Sequence, residues 1–356
     1  MRIFLPISLD QWKSPIASLL RAIVKANPQH QYFSFSNPKS EEDIIQGEIF
    51  WNLPNINKIT IFESIFTVFD IVQTATQNPR NVAISLFIKL KSFGKCLFLT
   101  TVNLEIDSTL PKRDYWSYKL AMYLADGVVA VSESAAQNPR LCVGDRFIGV
   151  ISNGYDPDFF NPLKDYSRDL PDHLVTGDYA LFISALEPRK NPEFIWALAN
   201  RMKDVKFIAA GWQHPLYGDR YKNMLTSLPN VIWLGHLEQR QIRALMQQSF
   251  VLLFPSEREG LPLTVIEALA MNLPVIAQAK SSLPELIVDG QNGKLIDISD
   301  VEFWKSAILD YKMKHIANKS SKIRYQINSM KSIYSWDTVG LKYRDVYSHL
   351  VKSYLR

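Results

Sequence analysis

The chain has 356 residues, 47% hydrophobic and 21% charged, so it can bury two ordinary cores and is neither disordered nor fibrous. A net charge of +5 is too small a bias to argue for nucleic acid, and it leaves anionic ligands or an anionic membrane surface open as partners. Two cysteines, Cys96 and Cys142, fit neither a metal-site spacing nor a disulfide framework, which suits a reducing, cytoplasmic location. The opening "MRIFLPISLDQWKS" reads as no signal peptide, and no run of about 18 apolar residues is present to span a membrane.

Along the chain, short apolar runs alternate with amphipathic, helix-like stretches, the pattern of an α/β protein with parallel sheets. In the first half, strands are predicted at 2–7, 32–36, 96–102, 127–132 and 147–151. Helices fall between them, for example over 14–26 and 115–125. The stretch 61–93 reads equally as helix or strand. Overlapping it, "SLFIKLKSFGKCLF" (85–98) mixes Lys89, Lys91 and Lys95 with Phe and Leu. It reads as a helix with a solvated lysine face, and contact with anionic lipid is the alternative. Residues 152–178, rich in Pro, Asp, Gly and Asn, read as a linker. The second half restarts with strands at 179–184, 205–211, 230–235, 250–256, 274–278 and 293–297, a doubly wound fold of six βα units. The tail from Trp304 to Arg356 reads as helix. Domains are therefore expected at 1–160 and 161–337, with the last helix, about 338–356, returning to the first. Two such halves would face each other across a cleft, and ligands of open α/β sheets sit at the carboxyl ends of the strands.

The chemistry concentrates in "FPSEREGLPLTVIEALAMNLPVIAQ" (254–278). A strand ends, a loop over 257–263 follows, and a helix begins. Gly260 relaxes the loop, and Pro262 is tolerated because a first-turn N–H has no helical partner. The amides of Leu261 and Leu263 at the helix start form an anion site suited to phosphate, to which Pro262 adds nothing because it has no N–H. Glu267, just inside the helix, can accept two hydrogen bonds from a vicinal diol such as a ribose. Glu259, on the loop, can accept from another polyol such as a sugar ring. A phosphate between two hydroxyl-reading carboxylates is the layout a nucleotide-sugar requires. The plain alternative is a solvated loop carboxylate and a helix glutamate favoured by the macrodipole.

This segment resembles the E-x7-E signature of retaining glycosyltransferases of family 4, which have the GT-B fold of two Rossmann-like domains. "SNGYDPDFF" (152–160), "LFISALEPRKNPEF" (181–194), "NVIWLGHL" (230–237), "SSLPELIVDGQNG" (281–293) and "YSWDTVGLKYRDVY" (334–347) resemble further family segments, in family order. The likeness is strong from about 150 onward and loose before it. It implies that Glu259, Lys190 and Arg189 are catalytic, that Glu267 holds the ribose, and that Gly235, His236 and Leu237 lie beside the nucleotide base. Fixed cations at Arg189 and Lys190 would stabilise a departing diphosphate more in the transition state than in the ground state. That removes the need for a metal, and no Asp-x-Asp pair stands in a strand–loop setting to hold one. Surface charges are the alternative for both cations. Where many members carry a further arginine, this chain has Ala185.

In the family the N-terminal half binds the acceptor. Here its first loop has no glycine and carries Asp10, Trp12 and Lys13, with Trp12 read as a core residue or a sugar-stacking one. Val102 and Asn103 stand where the family often has histidine. Asn103 is therefore placed, with Asp10 and Trp12, on the acceptor side. No histidine offers itself as a general base unless His30 does, and Glu105, Asp107 and Asp126 stay open as bases. The absence of an evident base fits retention, in which the departing phosphate oxygen takes the proton. The resemblance thus implies a metal-independent hexosyltransferase of polysaccharide or cell-surface glycan biosynthesis. It would use a UDP- or GDP-sugar with no other cofactor and act on a glycan or lipid-linked acceptor, with peripheral membrane contact open. A non-catalytic GT-B subunit supporting a partner transferase is the alternative, and a GT-B sugar-nucleotide epimerase is a third.

Overall fold

A computed structural model describes residues 1–6, 15–35, 56–75, 79–106, 110–171, 178–318 and 327–354. The chain divides into two compact units, Met1–Gly154 with Ile333–Arg356, and Tyr155–Ser332. Among the described residues the first unit carries β1 (Arg2–Leu5), β2 (Gln31–Phe35), β3 (Ile56–Ile59), β4 (Ile71–Thr74), β5 (Leu97–Val102), β6 (Gly127–Ala130) and β7 (Phe147–Val150). These pair in parallel in the order β3-β2-β1-β4-β5-β6-β7. The second unit carries β8 (Tyr179–Ile183), β9 (Lys206–Ala210), β10 (Val231–Trp233), β11 (Val251–Phe254), β12 (Val275–Ala277) and β13 (Gly293–Leu295). Their order, β10-β9-β8-β11-β12-β13, is also wholly parallel. In both sheets the order of the strands reverses beside the first strand, so each has a switch point, and that of the second lies between β8 and β11. Two Rossmann-like units make this a GT-B fold.

β8, β11 and β12 are buried along their whole length, which is why their sequences are continuous apolar runs rather than alternating ones. The first unit is closed by the helix Trp336–Tyr354, which packs on the helix Pro15–Ala26. Gly340 permits that approach, since a Cβ there would stand 2.3 Å from the carbonyl oxygen of Ala22. Asn27 Nδ2 donates to Gly340 O at 3.0 Å, and the Tyr347 hydroxyl donates to Gln73 Oε1 at 2.5 Å, so one end of each buried amide in this seam is bonded while Asn27 Oδ1 and Gln73 Nε2 meet no partner among the described residues.

Four readings change. The ambiguous stretch 61–93 is a helix (Ile61–Phe66), a strand (β4) and a second helix (Pro79–Lys91), too short and mixed for one period to dominate. β3, whose "INKI" places a polar pair inside four residues, has no sequence counterpart among the predicted strands. The tail is three helices, Val301–Asn318, Ile327–Tyr334 and Trp336–Tyr354. Ser335 separates the last two by accepting from the Thr338 amide at 3.2 Å, as an N-cap. The linker reading of 152–178 fails over 155–171. There Tyr155, Phe160 and Tyr166 are buried, and Arg243 is stacked between the Phe159 and Tyr166 rings, 4.1 and 3.7 Å from their centroids. Arg243 also donates to Phe159 O (3.0 Å) and pairs with Asp169 (2.7 Å). Polar composition suggested a tether, whereas the aromatics bind it to the second unit.

Candidate functional site

At the carboxyl end of β8 the residues Pro188–Lys190 make one 3-10 turn, and Asn191 takes a left-handed conformation (φ 51°) before the helix Pro192–Arg201. The two prolines preset φ and asparagine tolerates the left-handed step, so "PRKNP" turns back sharply. The turn is stitched to the loop after β11. Arg189 O accepts from the Glu257 amide (3.0 Å) and the Ser256 hydroxyl (3.3 Å). Asn191 Nδ2 donates to Pro255 O (2.8 Å), and Arg189 Nη1 donates to Arg258 O (3.1 Å). Segments far apart in sequence thus form one surface at the switch point.

On it Glu259, Lys190 and Arg189 come together. Lys190 Nζ is hydrogen-bonded to Glu259 Oε1, and the Ser256 hydroxyl donates to the same oxygen at 2.5 Å. Arg189 Nη1 lies 3.6 Å from it, and Arg189 Nη2 pairs with Glu187 at 2.6 Å. Glu259 is therefore a buried, ion-paired carboxylate, not a solvated loop residue. Burial pushes the Lys190 ammonium below its ordinary value, opposed by the attraction of Glu259. Donor capacity remains for a ligand: an ammonium has three N–H groups and a guanidinium five. Ser281 fixes the other side of Glu259, its hydroxyl accepting from the Glu259 amide (3.1 Å) and donating to the Glu259 carbonyl (2.6 Å). Sequence reasoning missed Ser256, Ser281 and Glu187. The signal available was a hydroxyl at a strand end, in "FPS" and in "SSLPE".

Glu267 lies on the helix Leu263–Ala270 and is buried. No side-chain hydrogen bond or ion pair to it is found among the described residues, and burial raises its carboxyl from 4.5 to about 8. With no partner among the described residues and only an edge open to solvent, this carboxyl is placed to accept from a ligand hydroxyl. The helix start has Pro262 at its cap and no side-chain capping bond. Val265 and Ile266 amides bond to Pro262 O, while the Leu263 and Thr264 amides meet no acceptor among the described residues. Leu261 is buried, and Leu263 is half-buried at the helix start. Gly260 is buried and does not adopt a positive φ, so the backbone freedom expected of it is not used.

Beyond β10, Gly235 does use a positive φ (73°), and its carbonyl accepts from the Gly211 amide at 2.8 Å. His236 is exposed and Leu237 half-buried. In the first unit, Asn103 is engaged at both ends of its amide: Tyr118 Oη donates to Oδ1 (2.5 Å) and Nδ2 donates to Ala75 O (3.4 Å). Asp10, Trp12 and Asp107 lie outside the described residues. His30 precedes β2, at the amino end of the strands, buried near the terminal amine, with burial lowering its pKa; that is the wrong edge for a base. Asp126 pairs with Lys89 (2.7 Å) and caps the Phe98 amide (2.7 Å), and Glu105 is bonded to the Ser134 hydroxyl. Lys91 donates to the carbonyls of Ser64, Ile65 and Thr67 at the end of a helix. Two lysines of 85–98 are thus structural ties rather than a solvated face. No helix of the described residues is long and apolar enough to cross a membrane, and no group of three or more His, Cys, Asp or Glu among them is placed to hold a metal.

Residues 171–327 match the family described as glycosyl transferases group 1, a span that contains the whole Glu259–Lys190–Arg189–Glu267 constellation. An uncharacterised glycosyltransferase of Methanocaldococcus jannaschii is 22% identical over 98% of this chain and 99% of its own length. The chain is a GT-B-fold relative of glycosyltransferases. The D-inositol 3-phosphate glycosyltransferase of Mycolicibacterium smegmatis is 27% identical, but over 52% of this chain and 44% of that one. Among solved structures, Anabaena HepE in complex with UDP-glucose superposes with a TM-score of 0.78 over 98% of this chain and all of that one, at 16% identity. For this GT-B relative, such a likeness speaks to the fold.

Proposed function

We propose that the protein transfers a sugar from a UDP- or GDP-sugar to a hydroxyl of a glycan or lipid-linked acceptor, with retention and without a metal. The observation that carries this reading is the buried, unpartnered Glu267 carboxyl beside an anion-competent helix start and a buried Lys190–Glu259 pair. In the reading, Glu267 accepts from both ribose hydroxyls. The remaining N–H groups of Lys190 and Arg189, with the Leu263 amide, hold the diphosphate, and charge growing there on bond breaking is stabilised by cations that need no reorganisation. Glu259 keeps Lys190 in place through Oε1 and offers Oε2 to a sugar hydroxyl. Fixed cations take over the role a divalent ion plays elsewhere, and the phosphate oxygen leaving on the same face takes the acceptor's proton.

Turnover of UDP- and GDP-sugars, with product anomers read by NMR, tests the proposal. A product with the donor's anomeric configuration, lost in Lys190→Ala, supports it. Silence with every sugar nucleotide in the presence of glycan and lipid-linked acceptors refutes it.

A further inference from the structure

The turn after β9 is not used by the site described above. Its sequence, "GWQHPLYGD" (211–219), sets three aromatic side chains in series. The Trp212 and His214 rings meet edge-on, centroids 5.2 Å apart, and His214 and Tyr217 lie 4.9 Å apart. Trp212 is 50% exposed and Tyr217 39%, so flat apolar surface faces solvent on a turn that is otherwise tightly held. His214 Nδ1 accepts from the Leu216 amide (3.1 Å), which leaves the ring proton on Nε2, and His214 O accepts from the Gly218 amide (2.7 Å). Gln213 Nε2 donates to Asp219 at 2.6 Å.

Position gives the triad its meaning. Gly211 takes φ +145°, and a Cβ there would stand 1.9 Å from Ser184 O, so only glycine lets the end of β9 press against the end of β8. Backbone pairing then continues past both strands. Leu186 N donates to Trp212 O (2.9 Å), and Gly211 N donates to Gly235 O (2.8 Å). Trp212 is therefore pinned between the turn that leads to Arg189 and Lys190 and the segment Gly235–Leu237. It stands on the β9 side of β8, whereas Glu259 and Glu267 stand on the β11 side. Trp212 thus stands at the strand end next to the turn that carries Lys190 and next to Gly235–Leu237, the segment that the family resemblance places beside the nucleotide base.

We infer that Trp212, braced by His214 and Tyr217, is the stacking platform for the nucleobase of the donor. The inference rests on the donor reading above and adds the contact that reading lacks. Stacking needs only a π-face and is therefore tolerant of which base is offered, so loss should be similar for uracil and guanine nucleotides.

The test is calorimetric binding of UDP, GDP and inorganic pyrophosphate to the intact protein, its Trp212→Ala and its Trp212→Phe variants. The expected result is a loss of about tenfold or more for both nucleotides in Trp212→Ala, retention of most affinity in Trp212→Phe, and unchanged pyrophosphate binding. Nucleotide quenching of tryptophan fluorescence should vanish in Trp212→Phe. Unaltered nucleotide affinity in Trp212→Ala overturns the platform. So does an equal loss for pyrophosphate, which would mark a merely structural role. If the intact protein binds pyrophosphate but neither nucleotide, the platform falls while the anion site stands. If it binds none of the three, the donor reading itself has failed and the platform falls with it.

Discussion

Replacing Glu267 by glutamine should abolish a pH dependence that the wild-type protein carries. Its carboxyl is raised from 4.5 to about 8 by burial. Because the folded-state value is the higher one, the native protein binds more protons than the unfolded chain between those values. Stability therefore falls as pH rises from about 4.5 towards about 8, by an upper limit on the order of 5 kcal/mol, and is level above. Glutamine has no charge to desolvate, so Glu267→Gln removes this loss. Ligand binding has the opposite sign. Ribose hydroxyls donate to the ionised form, so binding expels the proton. The ionised fraction rises from roughly a tenth at pH 7 to roughly nine-tenths at pH 9, and nucleoside diphosphate should bind about tenfold tighter at pH 9. Calorimetry at both pH values, in buffers of different ionisation enthalpy, reads the affinity and the proton release together. The Glu267→Gln variant controls for other titrating groups. Equal slopes in wild type and variant, or no proton release, would refute the assignment.

Lys190→Ala should abolish turnover and also cost about 1–3 kcal/mol in chemical denaturation, because Glu259 loses its nearest cation and keeps only Arg189 and the Ser256 hydroxyl. Lys190→Met with Glu259→Leu should recover stability without activity. Gly340→Ala, which on an exposed helix would add about 1 kcal/mol, should here destabilise by about 1–3 kcal/mol, since the new Cβ meets a backbone oxygen at 2.3 Å; a lowered denaturation midpoint is the readout. Arg243→Ala should release residues 155–171 from the second unit, with protease cleavage within that segment much faster than in wild type while the rest of the unit stays folded.

The central strands of the second unit, β8, β11 and β12, were legible because each is buried on both faces and so spells an unbroken apolar run. Their ends were overread: "FVLLFPS" runs apolar from Phe250, but pairing covers Val251–Phe254, since apolar character continues past the last ladder bond. The E-x7-E carboxylates and the "EPRKN" cations were legible as residue types at particular places. Their meeting was not, because Lys190 and Glu259 are joined by a fold rather than by a spacing. The same limit hid Ser281, which acts on the Glu259 backbone across 22 positions. Asn103 stood out by position, but Tyr118, which occupies its oxygen, could not be foreseen from a helix fifteen residues on. The 211–219 turn escaped notice because isolated aromatics in a loop carry no period; its glycine acquires a reason only when Ser184 is seen beside it.

The most direct test of the account is an equilibrium titration of the wild-type protein and Glu267→Ala with UDP and GDP. Saturable one-to-one binding of at least one of them, weakened at least tenfold in the variant, is the predicted result. Binding of neither, or equal affinity in both proteins, would contradict the proposal that the second unit grips a nucleotide-sugar through Glu267.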